Sequence, residues 1–205
     1  MITAGRRLIS ISLLLFALQI GCSEIQVGSD VQAGRSALQA GHPEDAVVYL
    51  SRAAESHPDY KFPNRAHESV LTYLGRAYYE AGDNDKARAV LERALKNDRN
   101  DSLARLYLGL TLYRANERGR GREEIAAGLN GIHAWLDEVS SDGTSGTYWD
   151  PNKSIRLAIE KTVAGKPEAG ELTASAQRIG RQFDTELDRA SQAESQSIYQ
   201  QGGKN

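Results

Sequence analysis

The stretch Leu71–Leu95, LTYLGRAYYEAGDNDKARAVLERAL, decides the fold. Its apolar residues recur at helical spacing on either side of a Gly-Asp-Asn-Asp turn at Gly82–Asp85. Leu71, Leu74 and Tyr78 share one face, and Ala87, Leu91 and Ala94 share another. Two amphipathic helices joined by a tight turn are predicted, with Gly75, Ala87 and Ala94 small enough to let them approach closely. The pattern repeats on both sides. Gly34, Gly41, Ala46, Leu50 and Ala53 stand forty-one positions upstream of Gly75, Gly82, Ala87, Leu91 and Ala94. A shift of thirty-four carries Leu74-Gly75, Leu91 and Ala94 onto Leu108-Gly109, Ile125 and Gly128. Three helix-turn-helix units are therefore predicted over residues 27–60, 68–101 and 102–135, with the loop YKFPNRAHE between the first two.

On these residues the chain resembles the tetratricopeptide repeat family. The resemblance rests on the thirty-four-residue period and on Leu74, Gly75 and Tyr78 as the Leu-Gly-x-x-Tyr of a helix A. It rests also on the Ala-x-x-x-Leu-x-x-Ala of helix B and on Pro58 closing the first unit. It covers about half the chain and implies an all-α superhelix of about three repeats. In the third unit Gly121 and Gly128 replace helix B alanines, which bears on its stiffness, since a helix-interior Gly costs about 1 kcal/mol relative to Ala.

Residues 1–21 read as a targeting segment. Arg6 and Arg7 form a basic start, and Leu8–Ile20 is an apolar run, short of the about 20 residues a membrane span needs, before Gly21-Cys22. This resembles a bacterial lipoprotein signal, with Gln19 where that family prefers Leu, and it implies lipidation of Cys22, with palmitate among the acyl chains. An ordinary secretory signal with an incidental cysteine is the other reading; a lone cysteine has no intramolecular disulfide to form in an oxidising compartment. Ser23 after the cysteine implies, by the same resemblance, an outer-membrane anchor facing the periplasm. Without residues 1–21 the net charge moves from -2 to about -4, which argues against a nucleic-acid partner.

Helix A of the first unit is expected over Val27–Ala40, with Ser29 or Asp30 as N-cap, and Pro43 opens its helix B. In the third unit helix B is expected from about Arg122 to Val139. The repeats with their anchor thus span residues 22–139. Residues 140–194 read as a helical cap over the open end of the stack, because terminal repeats need a polar outer face. Its first helix is expected from an Asp150-Pro151 N-terminus to about Ala164. Its second runs over Glu171–Ala193 with Leu172, Ala176, Ile179, Phe183 and Ala190 on one side. Residues 195–205 are expected to be a disordered tail.

No catalytic constellation emerges: the four histidines lack metal-ligand spacing and no second cysteine exists. No enzyme activity, metal or cofactor is expected. Binding is expected instead, because the family presents helix A residues in a concave groove. By the repeat alignment these are Arg35, Gln39, Thr72, Arg76, Tyr79, Glu80, Leu110, Tyr113 and Arg114. Arg pairs bidentately with carboxylates and Tyr adds rigid contact area, which suits a peptide or helix of a protein partner. The competing reading packs Tyr79 and Tyr113 between helices and leaves the arginines solvated. Two further surfaces are open: the cluster Arg114, Arg118, Arg120 and Arg122 facing an anionic partner, and the Tyr148-Trp149 loop. The expected function is a membrane-tethered adaptor for protein partners in the bacterial cell envelope. The alternative is a periplasmic small-ligand-binding protein, with a pocket beneath that loop.

Overall fold

The computed structural model describes residues 25–143, 145–165 and 167–202; the expected targeting segment, Cys22 and residues 203–205 lie outside them. The described residues form eight α-helices. Helix α1 covers residues 25–39, α2 Pro43–Ser56, α3 Val70–Glu80 and α4 Asn84–Asn97. Helix α5 covers Ser102–Arg114, α6 Arg118–Ser140, α7 Ser154–Ala164 and α8 Ala169–Gly202. The first six form three antiparallel hairpins, α1/α2, α3/α4 and α5/α6, stacked so that α2 meets α3, α4 meets α5, and α3 meets α5. The fold is all-α, as the period predicts.

Each hairpin closes in the same way. Gly41 and Gly82 adopt φ of 78° and 86°, the left-handed region that a side chain disfavours, and Asn116 takes that role in the third unit with φ 66°. Within each hairpin a helix A residue meets a helix B residue sixteen positions on: Gly34 meets Leu50, Gly75 meets Leu91, and Gly109 meets Ile125. A Cβ on Gly75 would lie 2.4 Å from Leu91 Cγ, so glycine is what lets the leucine enter. In the third unit the atoms nearest Gly109, Gly121 and Gly128 are backbone rather than side chain. A Cβ on Gly128 would lie 2.6 Å from the backbone nitrogen of Leu106. Gly121 and Gly128 therefore mark a close crossing of α5 and α6 rather than a loose unit.

Several boundaries differ from the expected ones. Asp30 lies inside α1 rather than at its cap, and its buried carboxylate accepts from Arg52 Nη2 at 2.7 Å. Helix α6 begins at Arg118, four residues early, because the NERGRGR segment continues the helix after Glu117. Helix α7 begins at Ser154 rather than at Pro151. Asp150 nevertheless caps it from a distance: its carboxylate accepts from the backbone N–H groups of Ile155 and Arg156, at 3.1 and 3.2 Å.

The largest difference concerns α8. It does not sit on the end of the stack as a cap. It is 34 residues long, and its buried stripe of Leu172, Ala176, Ile179, Phe183, Leu187 and Ala190 lies across the helix A faces of the repeats. It also continues to Gly202, where the segment from Ser195 was expected to lack structure. No glycine or proline interrupts that segment before Gly202, and Glu194 is held by Arg65 Nη1 at 2.8 Å.

Candidate functional site

The three A helices form the concave side of a repeat stack, and each sends residues to α8. Asp184 of α8 is the centre. Its Oδ1 accepts from Arg35 Nη2 of α1 at 2.9 Å and from the Tyr73 hydroxyl of α3 at 3.1 Å. Its Oδ2 accepts from Arg76 Nη1 at 3.2 Å. One turn on, Asp188 accepts from Gln39 Nε2 and pairs with Arg35, each at 2.8 Å. Arg76 also donates through Nε to Glu80 at 2.8 Å. Toward the other end, Gln177 Nε2 donates to the Tyr79 hydroxyl, and Gly180 lets the helix ride close over Tyr107 of α5.

Arg35, Arg76 and Asp184 each keep only 1% of their side chain exposed, so the electrostatics here are those of an interior. Burial opposes the charge on every member. For Asp184 the Arg76 and Arg35 guanidiniums outweigh burial and hold the carboxyl below its ordinary value. Burial also disfavours the cations. Tyr73 and Asp184 for Arg35, and Tyr107, Asp184 and Glu80 for Arg76, still raise both above the ordinary arginine range. Arg35 Nε and Nη1 lack hydrogen-bond partners. The guanidinium carbon instead stands 4.5 Å from the Phe62 ring centroid and 5.0 Å from that of Tyr73, so two aromatic faces solvate the charge.

The nine expected groove residues fall into two groups. Arg35, Gln39, Arg76 and Tyr79 contact α8, and Glu80 is held by Arg76. The other four serve the stack itself. Thr72 donates to the Asp101 carboxylate across the α3–α5 boundary, at 2.5 Å. Leu110 is fully buried, and Tyr113 packs against the core. Arg114 lies 3.7 Å over the Tyr79 ring and donates to the Tyr79 carbonyl at 2.6 Å. The groove is thus built but filled by this chain's own helix. Sequence reasoning placed Phe183 on the buried stripe and passed over Asp184 beside it.

The other two candidate surfaces are also engaged. Among the arginines of the α5–α6 turn, Arg120 reaches Glu92 at 3.5 Å and Arg122 reaches the Pro167 carbonyl at 3.5 Å, so they do not converge on one anion. Trp149 is fully buried, edge-on to Trp135 with centroids 5.1 Å apart, and Trp135 is edge-on to Phe183 at 5.5 Å. The Tyr148-Trp149 loop is therefore stapled to α6 and α8. A surface cavity of about 530 Å³ opens beside that loop, lined by Gly146, Trp149, Pro151 and Arg156.

A second, smaller cavity lies nearby. It has a volume of about 80 Å³ between the 57–69 loop, the α4–α5 turn, α6 and α8. Trp135 and Phe183 line it, but Tyr148 and Trp149 do not.

Comparison with known proteins agrees with the repeat geometry. A tetratricopeptide repeat family model matches residues 37–126, from late α1 into α6. That segment is similar to tetratricopeptide repeats, a family of interaction modules. The chain matches none of the curated proteins.

Proposed function

We propose that this protein is a non-enzymatic, membrane-tethered scaffold that binds protein partners in the bacterial cell envelope, anchored by lipid on Cys22 at the outer membrane and facing the periplasm. The observation that carries the interaction half of this reading is the repeat array over residues 37–126, because tetratricopeptide repeats are protein-interaction modules. The basic-then-apolar start ending in Gly21-Cys22 supports the anchor. Partners engage the surface that α8 leaves open. The outer face of α2 is part of that surface, with Val48 59% exposed and Tyr49 beside it.

Photocrosslinking in cells tests the scaffold. A crosslinking residue placed at Val48 of the full chain is expected to capture an envelope protein. No capture from exposed positions on α2, α4 and α6 alike would remove the scaffold reading. Fractionation tests the anchor. A Cys22→Ala chain is expected to move from the membrane to the soluble fraction, since a multiply acylated cysteine is a lasting tether at about 0.8 kcal/mol per buried methylene. Unchanged membrane association of that variant would remove the anchor.

A further inference from the structure

The loop between the first two repeats forms one wall of the cavity beside α8, and it carries a carboxylate in an unusual state. Asn64 organises the loop: its side-chain oxygen accepts from the backbone N–H groups of Ala66 and His67, at 3.1 and 2.9 Å. Its Nδ2 donates to Glu68 Oε2 at 2.9 Å. Glu68 lines the cavity and is only 4% exposed, and its Oε1 has no hydrogen-bond partner. A buried acceptor left unpaired costs about 1–3 kcal/mol, so it calls for an explanation.

The remaining walls define what an entrant would meet. Leu103, Trp135 and Phe183 give an apolar channel, and Asp98 and Asp101 add two more carboxylates. Asp101 is already committed, capping α5 through Ala104 N at 2.8 Å and accepting from Thr72. Asp98 accepts from Lys61 Nζ at 3.0 Å. Glu68 is therefore the wall carboxylate with unused capacity. The terminal torsion of a glutamate is broad, so its free oxygen can turn to meet an entrant. No group of three or more His, Cys, Asp or Glu side chains among the described residues is arranged to hold a metal ion. A cation suited to this space has an apolar stem and donates hydrogen bonds from one end.

We propose that this cavity binds a primary alkylammonium group, with Glu68 as its counter-ion and Leu103, Trp135 and Phe183 enclosing its methylene stem. At about 80 Å³ the space suits a short chain of a few methylenes. The group can come from a free aliphatic amine or from a lysine side chain of a protein partner. The proposal stands apart from the scaffold reading and does not require it.

Burial, the largest cause, pushes the Glu68 carboxyl up to about 7, aided by Asp101 and Asp184 and opposed by the Asn64 hydrogen bond. Tyr73 of α3 also faces it, with Asp98 and His67 lining the same cavity. An ammonium ligand therefore binds better as Glu68 ionises.

The test is a titration of the full mature chain followed by the Trp135 indole N–H resonance. With n-butylammonium chloride a saturable shift is expected, tightening about tenfold from pH 6 to pH 8. Glu68→Gln, near-isosteric, is expected to weaken binding about tenfold at pH 8 and to abolish its pH dependence. Isosteric n-butanol is expected to give no saturation. N-acetyl-lysine methylamide distinguishes the sources: binding by it as well as by butylammonium points to a partner's lysine, and binding by butylammonium alone to a free amine. Equal binding by n-butanol, no saturation by either amine, or unchanged affinity in a folded Glu68→Gln chain would overturn the proposal. An Asp98→Asn chain serves as a second variant, in which a smaller loss is expected because that carboxylate is already paired.

Discussion

Asp184 is where a single carboxylate holds four repeat residues at once, Arg35, Gln39, Tyr73 and Arg76. Removing it leaves Arg35 and Arg76 charged, buried and short of a counter-ion, a condition that typically costs about 3–5 kcal/mol. Asp184→Ala is expected to lower the urea midpoint by a corresponding amount, whereas an exposed carboxylate such as Asp85 should tolerate alanine. A midpoint unmoved by Asp184→Ala would mean that α8 is held by its apolar stripe alone. Because the Asp184 carboxyl is held below its ordinary value, its contribution is present at neutral pH and is lost as pH falls into the acid range. Glu68 acts in the opposite sense. Its carboxyl lies at about 7, above the ordinary 4.5. The stability it contributes is therefore complete below the unfolded value and lost as pH rises through 7. Glu68→Gln is expected to be more stable than the wild-type chain at pH 8, by up to about 3 kcal/mol, and near-equal to it at pH 4. Thermal melts at the two pH values measure the difference.

At the scale of elements, the hairpins divide by how their helices meet. In the first two units a leucine side chain fills the space over a glycine, and in the third the backbones themselves close on one another. Gly75→Ala forces Leu91 aside, at a cost typical of overpacking, about 1–3 kcal/mol. Gly128→Ala meets the Leu106 backbone, which cannot rotate away, so it is expected to cost more than Gly75→Ala in chemical denaturation. The sign of both effects is opposite to what intrinsic helix propensity gives, since alanine favours an isolated helix by about 1 kcal/mol at either position. Helix spacing read from the sequence fixed which residues face inward but not how close two helices come. That distance depends on both partners at once. For the same reason Gly121 and Gly128 looked like weaknesses in a linear reading and are contact points in the folded chain.

For the molecule as a whole, α8 is the decisive element. From Leu172 to Ala190 its stripe runs about 27 Å at 1.5 Å per residue, close to the width of three helices packed side by side. Leu172, Ile179, Phe183 and Leu187 are each worth about 1.5–3 kcal/mol when fully buried, so the stripe contributes on the order of 10 kcal/mol before entropy is counted. That is comparable with the entire stability of a typical domain. A partner does not displace such a helix at modest affinity, and α8 is therefore a permanent part of the core. A chain cut before Ala169 is expected to lose its cooperative unfolding transition, whereas one cut after Glu194 should keep it. Hydrogen exchange should report the same division, with amides from Ile179 to Ala190 protected to the global limit and those beyond Ser195 exchanging fast. Cooperative unfolding of the shorter chain, with native helix content, would show that the repeats stand alone.

The sequence by itself determined the three hairpins, the glycine turns of the first two, and the inward face of α8. Each of these rests on periodicity, which is local and is written along the chain. Of the expected groove residues, Arg35, Gln39, Arg76 and Tyr79 do face one common element, and Arg35 and Arg76 occupy matching positions in the first two units. Only the tertiary structure decided what covers them. Asp184 lies 149 residues from Arg35, and no local pattern distinguishes a helical stripe that caps the end of a stack from one that fills its groove. The length of the stripe was the one available signal, since a cap over two helix ends has no use for so long an apolar face. The cavity at Glu68 was not legible, because four segments distant in sequence must meet before a carboxylate there is buried without a partner.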